Sequence, residues 1–439
     1  MTPAARLAAV IEIINEMEEN HLASYGLRKG LQRRRYAGSG DRQVISVMFW
    51  QVHRAWARLL WHLQQCGCEV TARSITIAAQ MLIDHKLPAD ITALFGGEDK
   101  HHAVALSADE LELVAQLAER QLDHPEMPRD VALEWPDFLM ADAIAALGKS
   151  AEAELLALQG EAATDVRINP VKLGERRVLR EKFAGRGVKC HLNRLSPIGI
   201  RLEKRTRTND LPEWKKGLFE YQDEGSQIVA LLCDARPGMQ VVDMCAGAGG
   251  KALLMAAQMQ NKGRVLALDT DSERLKRGGE RMRRAGIHNI ERKHVGESWG
   301  TKRWRSKFDR VVIDAPCSGS GTWRRQVDAR WRCTIDDVAR YNSLQAQLLD
   351  KGRAMVMPGG RIIYITCSVL ASEGSQQIDR LLAEASELEL ADIGEIWQDT
   401  IGKQQGGPCP PMDGRMLRLL PGRDGTDGFF MAVLQARLR

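Results

Sequence analysis

The sequence predicts an α/β protein in three segments: helical residues 1–150, a small α/β module over 163–218, and a mostly parallel sheet over 219–439. Three observations carry this. From Pro237 onward continuous apolar strands alternate with helical stretches, the pattern of a parallel sheet covered on both faces. Residues 1–150 carry apolar side chains at three- and four-residue spacing, which predicts helices. Between the two, the pattern changes to short strands around one helix.

In the first segment, residues 4–17 and 44–63 each present one apolar face, with Gly38, Ser39 and Gly40 interrupting between them. Ser107 stands three residues before Glu110, the spacing of a capping box, which predicts a helix running through about Leu122. Pro125 and Pro128 punctuate the chain beyond that helix. In the module, 165–169 reads as strand, 174–183 as helix and 188–200 as strand, with a polar link through Asp210 and Pro212. In the last segment, strands at 240–244, 264–269, 308–314 and 361–366 alternate with helices at 251–259, 272–285, 335–355 and 373–385. Residues 429–435 form a final strand with room for a hairpin partner. No internal repeat or low-complexity tract is present.

A chain of 439 residues can hold two or three cores, and 44% apolar with 27% charged residues is an ordinary globular composition. It has no run of about 18 apolar residues, as a membrane span needs. Residues 1–20 lack the basic region, apolar stretch and small-residue site of a secretion signal, so a cytosolic monomer with no membrane partner is expected. The nine cysteines are scattered and show no pair of CxxC spacings, which argues against a zinc site. In a reducing compartment most should be buried as small apolar groups.

The net charge of +5 is spread unevenly. Arg28, Lys29, Arg33, Arg34 and Arg35 form one basic cluster, and Lys302, Arg303, Arg305 and Lys307 surround Trp304 in a second. Arg324, Arg325, Arg330 and Arg332 are interleaved with Trp323 and Trp331 in a third. Guanidinium groups beside aromatic faces suit a phosphate backbone with unstacked bases, although any one such cluster can equally be a solvated face.

Between the strand at 240–244 and the next helix lies a glycine-rich loop: Asp243, Met244, Cys245, Ala246, Gly247, Ala248, Gly249, Gly250 and Lys251. Glycines there allow a tight turn and a close approach of backbone to ligand, and a helix N-terminus offers free N–H groups. Asp269 ends the following strand, where a carboxylate can hold ribose hydroxyls. The pattern fits either a dinucleotide or S-adenosylmethionine (SAM). Ala252 in the place of the third glycine disfavours NAD.

Two later strand ends narrow the chemistry. Asp314, Ala315, Pro316 and Cys317 follow one strand, and Thr366, Cys367 and Ser368 follow the next. In a parallel sheet both fall at the C-terminal edge, facing the same cleft as the glycine loop. A thiolate adding to C6 of cytosine makes C5 nucleophilic enough to take a methyl group from a sulfonium. The C5 proton must then leave and the thiol must be eliminated, steps that a second acid/base group assists. Asp314 is a candidate acid near N3.

Residues 220–439 resemble the catalytic domain of the RsmB/Nop/Sun family of RNA cytosine-5 methyltransferases. The matching stretches are 221–227, the loop 243–251, 314–321, 365–369 and 427–430. The resemblance implies a Rossmann-like class I methyltransferase domain with a seven-stranded sheet and SAM as cofactor. It makes Cys367 the nucleophile and Cys317 the group that assists release. It gives the loop from Cys245 to Lys251, with Asp269 and Asp314, to SAM. More weakly, 164–218 is similar to the family's RNA-recognition-like module, and the helical segment, with residues 33–42, to a NusB-like extension. The implied partner is RNA, small-subunit ribosomal RNA in the first place.

The chain departs from the family pattern at three points. Gly247 and Ala248 stand where Ala and Pro are usual, and Ala252 stands for a usual Thr. After the third strand the usual Gly-Asp, which meets the adenine amine, is replaced by His294, Val295, Gly296 and Glu297, leaving Glu297 or backbone groups to read the adenine. Two other readings remain. DNA cytosine methyltransferases also carry a Pro-Cys motif, but there that cysteine attacks. An RNA-binding assembly factor could keep a methyltransferase shell without catalysis.

Overall fold

The computed structural model describes residues 1–17, 22–97, 101–204, 206, 208–296 and 299–438. They form two compact units. The first comprises Met1–Ala141, Leu155–Gly160 and Trp323–Cys333, and the second Asp142–Glu154, Glu161–Thr322 and Thr334–Arg439. The helical unit thus leaves its first stretch before residue 150 and takes in two later ones, of which 155–160 falls between the segments read from the sequence and 323–333 falls within the last of them.

The second unit contains two sheets. β1 (Thr164–Ile168), β2 (Cys190–Leu192), β3 (Gly199–Leu202) and β4 (Phe219–Tyr221) form an antiparallel sheet in the order β2-β3-β1-β4, packed against the helix Arg176–Ala184. β4 lies past the boundary drawn at 218, because Phe219 is fully buried in the core beside Phe183 and its backbone pairs with Ile168.

The larger sheet is built from β5 (Gln240–Asp243), β6 (Arg264–Asp269), β7 (Ile290–His294), β8 (Phe308–Asp314), β9 (Val356–Thr366), β10 (Leu388–Leu390), β11 (Leu417–Leu419) and β12 (Phe429–Ala436). Its order is β10-β12-β9-β8-β5-β6-β7, with β11 paired to β12 as the hairpin partner expected there. β5 to β9 are mutually parallel, while β12 runs antiparallel to β9. Their interior positions are almost wholly apolar, with Val242, Leu266, Val311 and Ile363 fully buried, as a sheet covered on both faces requires. The architecture is that of a Rossmann-like methyltransferase. Strand order reverses between β5 and β8, and ligands of such sheets bind at the carboxyl ends beside that switch point.

In the first unit, the expected helix at 44–63 is two helices, Ser39–Arg54 and Trp56–Gln65. They break at Ala55 because the buried Glu134 carboxylate accepts from the N–H groups of Ala57 and Arg58, capping the second helix, and pairs with Arg58 Nε at 3.1 Å. The capping box at Ser107 forms as expected, but its helix ends at Leu117. Arg330 anchors the stretch Trp323–Cys333 within this unit. Its guanidinium is 1% exposed and donates to the carbonyls of Glu134 (2.9 Å), Leu158 (3.2 Å) and Trp323 (3.5 Å), and Trp323 packs on Trp135 with ring centroids 4.7 Å apart.

Removing the Arg330 donors strands buried carbonyl acceptors, which costs more than the hydrogen bonds contribute net. Arg330→Met is expected to lower the stability of the full chain by on the order of 3 kcal/mol. Urea unfolding followed by circular dichroism measures this, and a midpoint equal to wild type would show that the anchor is dispensable.

Candidate active site

The glycine loop leaves β5 at the centre of the sheet. Gly247 and Gly249 both lie in the left-handed region, with φ of 55° and 78°, where a side chain would be strained. A Cβ at Gly247 would also stand 2.8 Å from Arg274 Nη2. Gly249 caps the helix Gly250–Gln258 without a side-chain hydrogen bond, so the helix start offers its N–H groups to a ligand. Asp269, at the end of β6, accepts from Gly247 N at 2.6 Å and Asp271 N at 2.8 Å. Each of its oxygens keeps a lone pair for a hydroxyl group.

Behind the loop, Arg281 Nη1 donates to Ala248 O at 3.0 Å while its Nε pairs with Glu220 on β4. Arg167 on β1 donates to Gln222 and reaches Gly250 O at 3.4 Å. The small sheet therefore braces the loop from the back. The sequence pattern gives this role to none of Arg167, Glu220 and Arg281, since nothing local distinguishes a bracing side chain from a solvated one.

Asp243, Lys251 and Asp314 form a charge cluster in which Asp243 is buried and the other two are partly exposed. Lys251 Nζ is 2.6 Å from Asp314 Oδ2 at the end of β8. Burial opposes the ammonium charge, but the Asp314 carboxylate and its hydrogen bond, with Cys367 and Asp243 nearby, outweigh it and raise the lysine pKa. Asp243 is 1% exposed, and its Oδ1 has no hydrogen-bond partner among the described residues. Burial first, then the Asp314 charge, push its carboxyl up to about 7. Paired with an ammonium, Asp314 is suited to accept a hydrogen bond.

The two cysteines meet at the same edge. Cys317 Sγ lies 3.5 Å from Cys367 Sγ. Their loops are tied together by backbone: Gly321 N donates to Cys367 O, Ala315 N to Ile365 O, and Gly428 N to Gly321 O. A Cβ at Gly321 would sit 2.2 Å from Gly428 O, so this crossing of two loops needs glycine. The hydrogen bond to Cys367, then burial, drive the Cys317 thiol well above its usual pKa, so a proton shared by the pair rests on Cys317. Cys245 is likewise driven up by burial and the Asp243 charge, which makes it an inert thiol in the loop.

Residues 230–435 match the family described as 16S rRNA methyltransferase RsmB/F. A relative named ribosomal RNA small subunit methyltransferase B, from Xylella fastidiosa, is 32% identical over 315 residues, covering 71% of this chain and 68% of that one. The chain belongs to the RsmB/F methyltransferase family. A relative of the same name from Erwinia tasmaniensis is 33% identical over 54% of this chain and 51% of its own length. The chain thus spans about half the length of several curated relatives that it matches. Among solved structures, one named PH0851 has a TM-score of 0.76 at 22% identity, over 99% of both chains. A methyltransferase homolog protein from Pyrococcus horikoshii has a TM-score of 0.59 at 25% identity, over 70% of this chain and 97% of that one.

The RsmB/F motif positions are thus assembled at one sheet edge, and the basic clusters divide into two kinds. Arg34, 5% exposed, is held by Glu12 and Glu16, and Arg330 and Trp323 are buried, so these parts of the clusters build the fold and do not face a phosphate backbone. Trp304 is also buried, with Arg303 stacked on it at 3.8 Å, while Lys302, Arg303, Arg305 and Lys307 are exposed. At the altered third-strand loop, Val295 is buried beside Trp299 and Trp304, and Glu297 lies outside the described residues.

Glu373 is the residue that the sequence reading passes over. Fully buried six positions past Cys367, its carboxylate accepts from Ser318 N at 2.8 Å and Ser318 Oγ at 2.5 Å. A lone Glu after the Thr-Cys motif was the available signal.

The Asp243 shift sets a pH dependence. Its folded value of about 7 lies above the ordinary 3.8, so the folded state binds the extra proton and this group's contribution falls as pH rises from about 4 to about 7. Asp243→Asn is therefore expected to melt above wild type at pH 8, with the gap closing toward pH 4. Thermal denaturation across that range measures it, and a pH-independent gap would contradict the assignment.

Proposed function

We propose that this chain transfers a methyl group from SAM to C5 of a cytosine in RNA, small-subunit ribosomal RNA in the first place. The observation that carries the reading is the 3.5 Å approach of Cys317 to Cys367 beside the Lys251–Asp314 pair. The loop from Cys245 to Lys251 suits SAM: its left-handed glycines leave room for close approach, and Asp269 offers acceptors to ribose. Bound there, SAM supplies an electrophilic methyl group on sulfonium. RNA as partner is supported by the family and by the exposed cations at 302–307.

In this mechanism Cys367 attacks. With the shared proton on Cys317, the Cys367 sulfur is the one left to attack, and the Lys251 ammonium lies near it. Its Sγ bonds to C6 while N3 takes a proton from solvent, and C5 becomes enamine-like and takes the methyl group. Once the Cys367 sulfur is bonded to carbon it carries no charge, and the largest cause of the high Cys317 pKa disappears. Cys317 can then release its proton to solvent and accept the C5 proton. As C5 loses that proton, the C6–S bond breaks and N3 gives its own back to solvent. The pair is restored with the proton on Cys317, and one proton is released for each methyl transferred.

Cys367→Ala is expected to be inactive and to form no covalent bond to RNA. Cys317→Ala should attack and transfer methyl, then stall as a protein–RNA adduct that survives denaturing electrophoresis and shrinks on RNase digestion. A stable adduct from Cys367→Ala would reverse the two roles, and near-normal methylation by both variants would remove the cysteines from the chemistry.

For RNA binding, the logarithm of affinity should fall linearly with the logarithm of salt, with a slope of about 0.7–0.9 per phosphate contact. Charge removal at Lys302, Arg303 and Arg305 should reduce that slope with turnover on saturating RNA unchanged. A wild-type slope would make this cluster a solvated face.

A further inference from the structure

We infer that Glu373 is a positioning residue for release of the methylated product: it clamps the Pro316–Ser318 loop against Cys367, and its negative charge makes Cys317 a strong enough base to take the C5 proton. The inference rests on the reading above that Cys317 resolves the adduct. The clamp is visible in the hydrogen bonds. Glu373 Oε1 accepts from Ser318 N at 2.8 Å and from Gln345 Nε2 at 3.3 Å, and Oε2 accepts from Ser318 Oγ at 2.5 Å. Gln345, on the helix Ile335–Met355, also donates to Pro316 O at 2.9 Å. The residues on either side of Cys317 are thus held from one carboxylate and one amide.

The direction of these bonds favours the carboxylate form. Ser318 Oγ accepts from Ser320 N at 3.3 Å, which leaves its own proton for Glu373. The amide groups of Ser318 and Gln345 can only donate to the carboxylate. Burial raises the Glu373 pKa above the ordinary carboxylate value, and the hydrogen bonds from Ser318, Ser368 and Gln345 hold back part of that rise in favour of the charged form. The other groups facing Cys317 are the Cys367 sulfur and the Tyr364 hydroxyl, which donates to Glu373 O at 2.9 Å. Arg380, the nearest cation to Tyr364, is paired with Asp350 and Glu384. Glu373 is therefore the carboxylate whose charge acts on the Cys317 thiol, and that charge persists when the Cys367 sulfur is tied up in the adduct.

The test uses the full chain. Alkylation of each cysteine by iodoacetamide is followed against pH by peptide-resolved mass spectrometry, with no RNA or SAM needed. In Glu373→Gln the midpoint for Cys317 should move to lower pH, while Glu373→Asp should keep it high. On RNA with SAM, Glu373→Gln should transfer methyl in the first turnover and then accumulate adduct, with kcat down about 100-fold and KM changed by less than about threefold. Ser318→Ala, at a half-buried loop position that does not threaten the fold, should also accumulate adduct, through loss of the clamp alone. An unmoved Cys317 midpoint in folded Glu373→Gln would overturn the inference, as would normal release by Ser318→Ala if Glu373→Gln does not fold. If Cys317→Ala itself forms no adduct, the proposed reaction fails, and the alkylation profile still decides whether Glu373 sets the basicity of Cys317.

Discussion

Lys251 joins the two halves of the site. It stands in the first turn of the helix Gly250–Gln258, where the helix dipole disfavours a cation, and it is largely buried as well. Such a charge persists only with strong compensation, and Asp314 supplies it at 2.6 Å from the neighbouring strand. The pair fixes the glycine loop, which follows β5, relative to the Pro-Cys loop, which follows β8. Because β5 and β8 flank the point where strand order reverses, one ion pair ties together the two loops at the switch point. A neutral residue at 251 would leave the buried Asp243 and the partly buried Asp314 with no counter-charge from this position, and burial already pushes Asp243 up to about 7.

The loop that carries Lys251 is also held from behind, and this explains why the small module cannot be a loosely tethered accessory. Glu220 on β4 pairs with both Arg281 and Arg284, and Arg281 in turn donates to the Ala248 carbonyl. Asn169, buried at the end of β1, donates to Gly217 O and Ala285 O. A Cβ at Gly217 would stand 2.0 Å from Arg284 O. The backbone contact between module and sheet is therefore as close as an interior contact, and the core cluster runs continuously from Phe183 and Phe219 to Val241 and Leu254. One hydrophobic core serves both sheets.

Much of the site was legible because strand order alone determines it. Alternating strands and helices imply a parallel sheet, and a parallel sheet gathers its C-terminal loops, so Lys251, Asp269, Asp314, Cys317 and Cys367 could be grouped from position in the chain. What escaped was whatever depends on contacts between distant residues. Arg330 and Arg34 belong to basic clusters that look solvent-facing, yet three carbonyls hold the first and two glutamates the second. Charge runs do not reveal burial. The helix break at Ala55 depends on Glu134, some eighty residues later, reaching the free N–H groups of Ala57 and Arg58. Glu373 was hidden for the same reason, since its partners Ser318 and Gln345 precede it by 55 and 28 positions.

A pair of thiols suits this chemistry better than a thiol with a fixed carboxylate base. In the proposed reaction, the base that removes the C5 proton must be idle while the nucleophile attacks and active only after the methyl group has moved. A carboxylate of ordinary pKa would be ionised throughout and would compete for the cationic neighbour of the nucleophile. Cys317 answers to the state of its neighbour. While Cys367 is free, their hydrogen bond and like charge hold the proton on Cys317; once Cys367 is bonded to C6, that restraint is gone. In the proposed reaction, elimination frees the Cys367 sulfur and restores the restraint with a proton already in place. The order of its steps would then be set by the covalent state of one sulfur acting across 3.5 Å on the other, and moving either loop apart would uncouple the two.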